Sequence, residues 1–134
     1  MRKLSFLVII AAGLLVWACS DKKSERFTLL TTPVWAADSL LADGLDASGP
    51  GQMLEKFDGD AKFNEDGTGT FGDYKGKWMF SDDEKIVTIM SDSLPMAIYA
   101  NIVLLTSTDL KITTSVPNST LTYLYNIRMT FKAK

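Results

Sequence analysis

The chain of 134 residues contains no histidine and a single cysteine, Cys19. Without histidine there is no Ser-His-Asp or Cys-His arrangement, and the commonest transition-metal ligand is missing. One cysteine forms no disulfide within the chain, so hydrophobic burial must hold the fold. Positive charge is also sparse: 14 Lys and Arg stand against 16 Asp and Glu. These basic residues are scattered, whereas a nucleic-acid surface rewards clustered Lys and Arg, so no nucleic-acid partner is expected. The charge-free stretch from Leu4 to Val16 is shorter than the about 20 residues a transmembrane helix needs.

That stretch follows Arg2 and Lys3 and runs into Trp17, Ala18 and Cys19. A basic start, an apolar run of this length and a small residue before the cut read as a secretory signal. Its end resembles the lipobox of a bacterial lipoprotein signal peptide. The resemblance implies that Cys19 becomes the mature N-terminus and carries a diacylglyceryl group and a further acyl chain. One myristoyl chain anchors only marginally, and each buried methylene adds about 0.8 kcal/mol, so several chains make a lasting anchor. Residues 1–18 are then the signal peptide and residues 19–27 a lipidated tether of mixed polar composition. Residues 28–134 form the folded domain, large enough for a core of its own. The leader removes two positive charges and no negative ones, leaving 12 against 16 and a net charge of −4.

From Asp60 onward the pattern is β. Ala61 to Asn64 leads into Glu65-Asp66-Gly67, and Thr68 to Phe71 leads out, with Asp-Gly as a hairpin signal. Gly76 to Phe80, Lys85 to Ser91, Met96 to Thr106 and Leu110 to Val116 are the next runs, separated by polar turns. The last run alternates most cleanly. Leu121, Tyr123, Tyr125, Ile127, Met129 and Phe131 fall on one face, and Thr122, Asn126, Arg128, Thr130 and Lys132 on the other. That period of two marks a half-buried strand. Residues 33–42 fit either a helix with Pro33 at its first position or a first strand carrying Trp35. Residues 43–59, rich in Gly and Asp, read as a long loop, with Met53 to Phe57 a short strand or turn of helix.

The order of these motifs resembles the small lipocalin-like lipoproteins of the Bacteroidetes. The motifs are Leu29-Leu30-Thr31 with Trp35, then Phe63-Asn64-Glu65-Asp66-Gly67-Thr68, then Gly76-Lys77-Trp78, Ser81-Asp82-Asp83 and the closing Thr130-Phe131-Lys132. The resemblance implies an all-β fold, an eight-strand antiparallel up-and-down barrel, with a short helical turn near the N-terminus. It implies an address in the bacterial cell envelope, at the outer membrane facing the periplasm or the cell surface. It also implies a structural pair at the closed end, with Trp35 packing under Arg128 in a cation–π contact worth about 0.5–2 kcal/mol.

Carboxylates carry no reaction that the pattern can name. An EF-hand loop starting at Asp58 would put Lys62 at its fifth ligand position, so that reading fails. Asp82, Asp83 and Glu84 read as a solvated turn. No nucleophile–base pair can be named, and the chain is expected to be neither an enzyme nor the holder of a metal or cofactor. The aromatic set is the better candidate. Trp78, Phe80, Met90, Tyr123, Tyr125 and Met129 could line a cup for a small hydrophobic molecule, or they could simply fill the barrel. An eight-strand barrel permits both. The alternative to ligand binding is an envelope or interaction lipoprotein with a filled barrel, acting through its loops and through residues 43–59 in particular.

Overall fold

Alternating burial along the second half of the chain produces a meander in which each strand pairs with the next. The computed structural model describes residues 23–134. Cys19, the leader and the first tether residues lie outside the described residues. A short helix, α1 (Glu25–Thr31), precedes β1 (Trp35–Ala42), β2 (Leu45–Asp46) and a single 3-10 turn (Glu55–Phe57). The remaining strands are β3 (Asp60–Phe63), β4 (Thr68–Phe71), β5 (Tyr74–Phe80), β6 (Ile86–Met90), β7 (Ile98–Leu105), β8 (Asp109–Pro117) and β9 (Leu124–Ala133).

All pairs are antiparallel, and β9 returns to β1 in a register running from Trp35↔Ala133 to Ala42↔Ile127. Because β1 also pairs with β3, β1 and β3–β9 close into an eight-strand up-and-down barrel. The two-residue β2 is a spur on the end of β1. Closure removes the free edges that an open sheet would expose. Residues 33–42 are thus a strand with a bulge at Asp38, and the helix lies upstream of Pro33.

Inward positions follow the period of two. Trp35, Leu40, Phe63, Phe71, Trp78, Ile89, Leu110, Ile112, Met129 and Phe131 are buried. Small residues, Ala61 and Ala100 among them, sit between these large ones. Such a mixture can fill an eight-strand interior. The whole buried core runs from Leu30 to Phe131. The described residues therefore carry a complete core, which is the condition for folding as a unit.

Helix α1 plugs one end of the barrel. Its N-cap is Ser24, whose hydroxyl accepts the Phe27 amide at 3.0 Å and donates to the Glu84 carboxylate at 2.5 Å. Arg26 donates to the Glu84 carbonyl oxygen at 3.0 Å, and Lys23 pairs with Glu65 at 2.7 Å. Both acidic partners lie in hairpin turns at this end. At the other end of the helix, Lys62 donates to the carbonyl oxygens of Thr31, Thr32 and Pro33. A cation there meets the carbonyls that the last turn leaves unsatisfied and the negative end of the helix dipole. Residues 25–27, assigned to the tether from composition, are therefore part of the folded domain. Glu25 is exposed, as composition suggested, but Arg26 is pinned to the hairpin turn that carries Glu84.

Candidate functional site

The opposite end of the barrel is its mouth, and the segment 43–59 folds across it. Asp43 and Gly44 both adopt positive φ (50° and 81°), and Ala42 pairs with Leu45 across them. That is a two-residue type I′ hairpin, the turn that Asp-Gly favours. The returning chain is bound to β1 by Ala47 N–H donating to Leu40 O at 2.9 Å, and Leu54 N–H donates to Ala47 O at 2.9 Å. Ala47, Leu54 and Phe57 are buried, and the Phe57 ring lies 4.8 Å from that of Tyr74. The segment is thus stitched into the rim and is not the free loop that its composition suggested. Deleting it would expose core.

Between this segment and the β6–β7 turn opens a cleft of about 1310 Å³. Leu54, Phe57, Tyr74, Leu94, Ile98 and Val116 form its inner wall, with Met53, Met96 and Tyr123 at the lip. Deeper in, the barrel is solid. The void among Phe57, Phe63, Phe71, Ile112, Met129 and their neighbours is only about 10 Å³, hardly room for one water molecule. Any bound molecule would occupy the mouth and not the barrel axis.

The cleft also reaches the outside of the barrel wall, and strand pairing accounts for it. Strands β7 and β8 are in register only from Asn101↔Thr113 to Leu105↔Leu110. Above that row, Ile98 to Ala100 pair with β6, and Thr114 to Pro117 pair with β9. The two upper segments are joined by a side chain, Thr114 Oγ1 donating to Tyr99 O at 2.8 Å. The wall therefore splits into a seam at the mouth. Outward residues beside it, Asn101, Thr113, Ser115 and Arg128, line the same cleft as the apolar inner wall.

One clasp holds the rim where β1 and β9 meet, two strand pairings from the seam. Tyr123 donates its hydroxyl to Asp43 Oδ2 at 2.6 Å, and the Asn126 amide donates to Asp43 Oδ1 at 2.9 Å. The Tyr123 hydroxyl and then the Asn126 N–H favour the carboxylate and hold the Asp43 pKa below its ordinary value. The same hydrogen bond, followed by the charge of Asp43, raises that of Tyr123.

Of the six residues read from the sequence as ligand-lining, Tyr123 alone lines this cleft. Trp78 is buried near the plugged end, its indole N–H donating to Asn64 O at 2.9 Å and its ring edge-on to Phe63 and Phe80. Phe80 packs beside it, and Met129 borders the small deep void. Met90 points outward and is exposed, because it neighbours inward Ile89 on a strand of period two. Tyr125 is half-buried with its ring 5.1 Å from that of Tyr123. Tyr123 and Leu121 precede β9 and are exposed.

Trp35 and Arg128 do not meet. Trp35 is wholly buried at the plugged end, in register with Ala133, and donates its indole N–H to Leu30 O at 3.0 Å. Arg128 faces outward five positions earlier on β9, opposite Leu41 and Thr113. Strand parity and five residues of strand, about 17 Å, separate them. The cations that do hold the plugged end are Lys62, on the last carbonyls of the helix, and Arg26 and Lys23, on the hairpin turns. The residues missed from sequence, Leu54, Phe57 and Leu94, had a signal: they are apolar residues set into polar turn-rich segments.

Among the described residues there is no group of three or more His, Cys, Asp or Glu placed to hold a metal, and no helix long and apolar enough to cross a membrane. Closed barrel and open mouth are compatible with a ligand-binding domain. No family model matches the chain, and no curated protein matches it in sequence, so the reading of this site rests on its own geometry.

Proposed function

We propose that this protein is a membrane-tethered, lipocalin-like barrel that holds a small hydrophobic molecule in its mouth. The observation that carries the reading is the open cleft with an apolar inner wall, closed below by a solid core. Concave sites with mostly apolar walls and a few polar groups are the usual form of small-molecule sites.

The tether gives the reading a direction. Lys23 sits at the plugged end, paired with Glu65, and is four residues from Cys19. Four residues span at most about 14 Å. A lipid on Cys19 therefore holds the plugged end against the membrane, and the mouth opens away from it.

The test has two arms. Residues 20–134, purified without lipid, should take up a neutral lipophile such as dodecanol, as read by native mass spectrometry or calorimetry. Absence of uptake would leave the second reading, an envelope protein acting through its rim loops, which the solid deep interior favours. In cells, Cys19→Ser should release the protein from the membrane fraction or leave it unprocessed. Normal processing and retention of that variant would overturn the tether.

A further inference from the structure

We infer that the molecule held in the mouth is a single-chain amphiphile with an anionic head, and that Arg128 binds the head. The inference rests on the ligand-binding reading above and adds the chemical class. Two kinds of surface meet in one cleft: an apolar inner wall with Leu54, Phe57 and Ile98, and the outer face of β8–β9 with Thr113 and Arg128. The seam between β7 and β8 joins them, because β7–β8 pairing ends at Asn101↔Thr113, and Arg128 on β9 stands beside Thr113. A wholly apolar molecule would leave the outer part of this cleft unmatched. An acyl chain lying inward with its head at the foot of the seam matches both parts.

Charge selects the sign of the head. Arg128 and Asp43 are the fully charged side chains that line the cleft. Asp43 is already satisfied by the Tyr123 hydroxyl and the Asn126 amide. Arg128 is exposed and has no hydrogen bond or ion pair among the described residues. A guanidinium offers a planar fork of donors that fits a carboxylate or phosphate on two oxygens. The neighbouring cation Lys132 is occupied by Asp109, and Lys111 lies outside the lining of the cleft, so Arg128 is the cation that the cleft presents. A fatty acid and a lysophosphatidic acid share this chemistry, one chain and one anionic head.

Calorimetry with dodecanoate and with dodecanol tests the inference on residues 20–134. The parent protein should bind dodecanoate more tightly than dodecanol. Arg128→Gln should weaken dodecanoate by about tenfold, as expected for losing one charge-assisted contact, and leave dodecanol unchanged. Arg128→Lys should restore part of the loss. Arg128 is exposed, so its replacement is expected to leave the fold intact, and thermal unfolding checks this. A lysophosphatidic acid titrated in parallel distinguishes the two sources of head. Equal binding of both dodecyl ligands, with no effect of Arg128→Gln, would overturn the anionic head while keeping the apolar site. Failure of the parent to bind either ligand would overturn the ligand-binding reading and this inference with it.

Discussion

The two ends of this barrel use the same residue types for opposite ends. At the plugged end, two tryptophans donate to the backbone carbonyls of Leu30 and Asn64. Phe27, Phe63 and Phe80 pack around Trp78 with ring centroids 5.3–5.7 Å away. Among the described residues no buried side-chain nitrogen or oxygen lacks a partner. At the mouth, Tyr123 is 51% exposed, and Leu45 and Leu121 are each 75% exposed. Polar clasps on the surface hold that rim. Burial multiplies what a contact contributes, since a buried aromatic gains its whole transfer free energy and an exposed one little of it. The plugged end is thus built for stability, and the mouth keeps apolar surface available.

The largest expected effect follows directly. Trp35→Ala should destabilise the domain by about 3–5 kcal/mol, the usual cost of emptying a fully buried aromatic site. It also leaves the Leu30 carbonyl without its indole partner. Tyr123→Ala should cost far less, because half of that side chain is already in water. Chemical denaturation of the two variants side by side checks the contrast. Similar losses in both would erase the distinction between the ends.

A middle-sized effect lies where the mouth segment seats on the barrel. Gly72 turns between β4 and β5 at φ 60°. The 3-10 turn presses on it so closely that a Cβ would collide with the Lys56 carbonyl oxygen and stand 2.8 Å from Phe57 Cα. The Asp73 amide donates to that same carbonyl at 2.8 Å. Gly72→Ala should therefore cost about 1–3 kcal/mol through overpacking. It should act locally, raising hydrogen exchange at Asp73 and Leu54 while the Trp35 end stays protected. Uniform loss of protection at both ends would show that the mouth segment is not a separable part.

The strands were legible because their information is local. Asp66-Gly67 and the alternation Tyr125, Ile127, Met129, Phe131 announce themselves within a few residues. The same Asp-Gly signal stands at positions 43 and 44, yet surrounding Gly and Asp made that segment read as loop. The cleft was not legible, because it depends on which strands stop pairing where. Nothing in Ile98 to Ala100 or Thr114 to Pro117 says that they part from one another. An aromatic stripe, in turn, does not say whether it fills or lines a barrel. Trp78 and Phe80 fill it, and the apolar wall of the mouth combines Leu54, Phe57 and Leu94 from connecting segments with Tyr74, Ile98 and Val116 from strand ends. Parity on the last strand pulled against the pairing that the resemblance implied: Arg128 falls on the polar face, and the structure has it facing away from Trp35.

The smallest expected effect is at the rim clasp and is read by pH. Asp43 has a lowered pKa, so its contribution is fully present above the ordinary aspartate value and is lost as pH falls through the folded value. Tyr123 has a raised pKa, so its contribution is present below the ordinary tyrosine value and is lost as pH rises through the folded one. The clasp is complete across the whole neutral range and opens only at the two extremes. Both groups are exposed, so global unfolding should hardly register either step. The Asn126 amide, hydrogen-bonded to Asp43, should report the acid step in an NMR titration. In Tyr123→Phe the largest cause of the lowering is gone, so that step should move to higher pH while the Asn126 hydrogen bond persists. An acid midpoint unchanged by Tyr123→Phe would mean that the backbone alone holds Asp43, and that the tyrosine is free to turn toward the cleft.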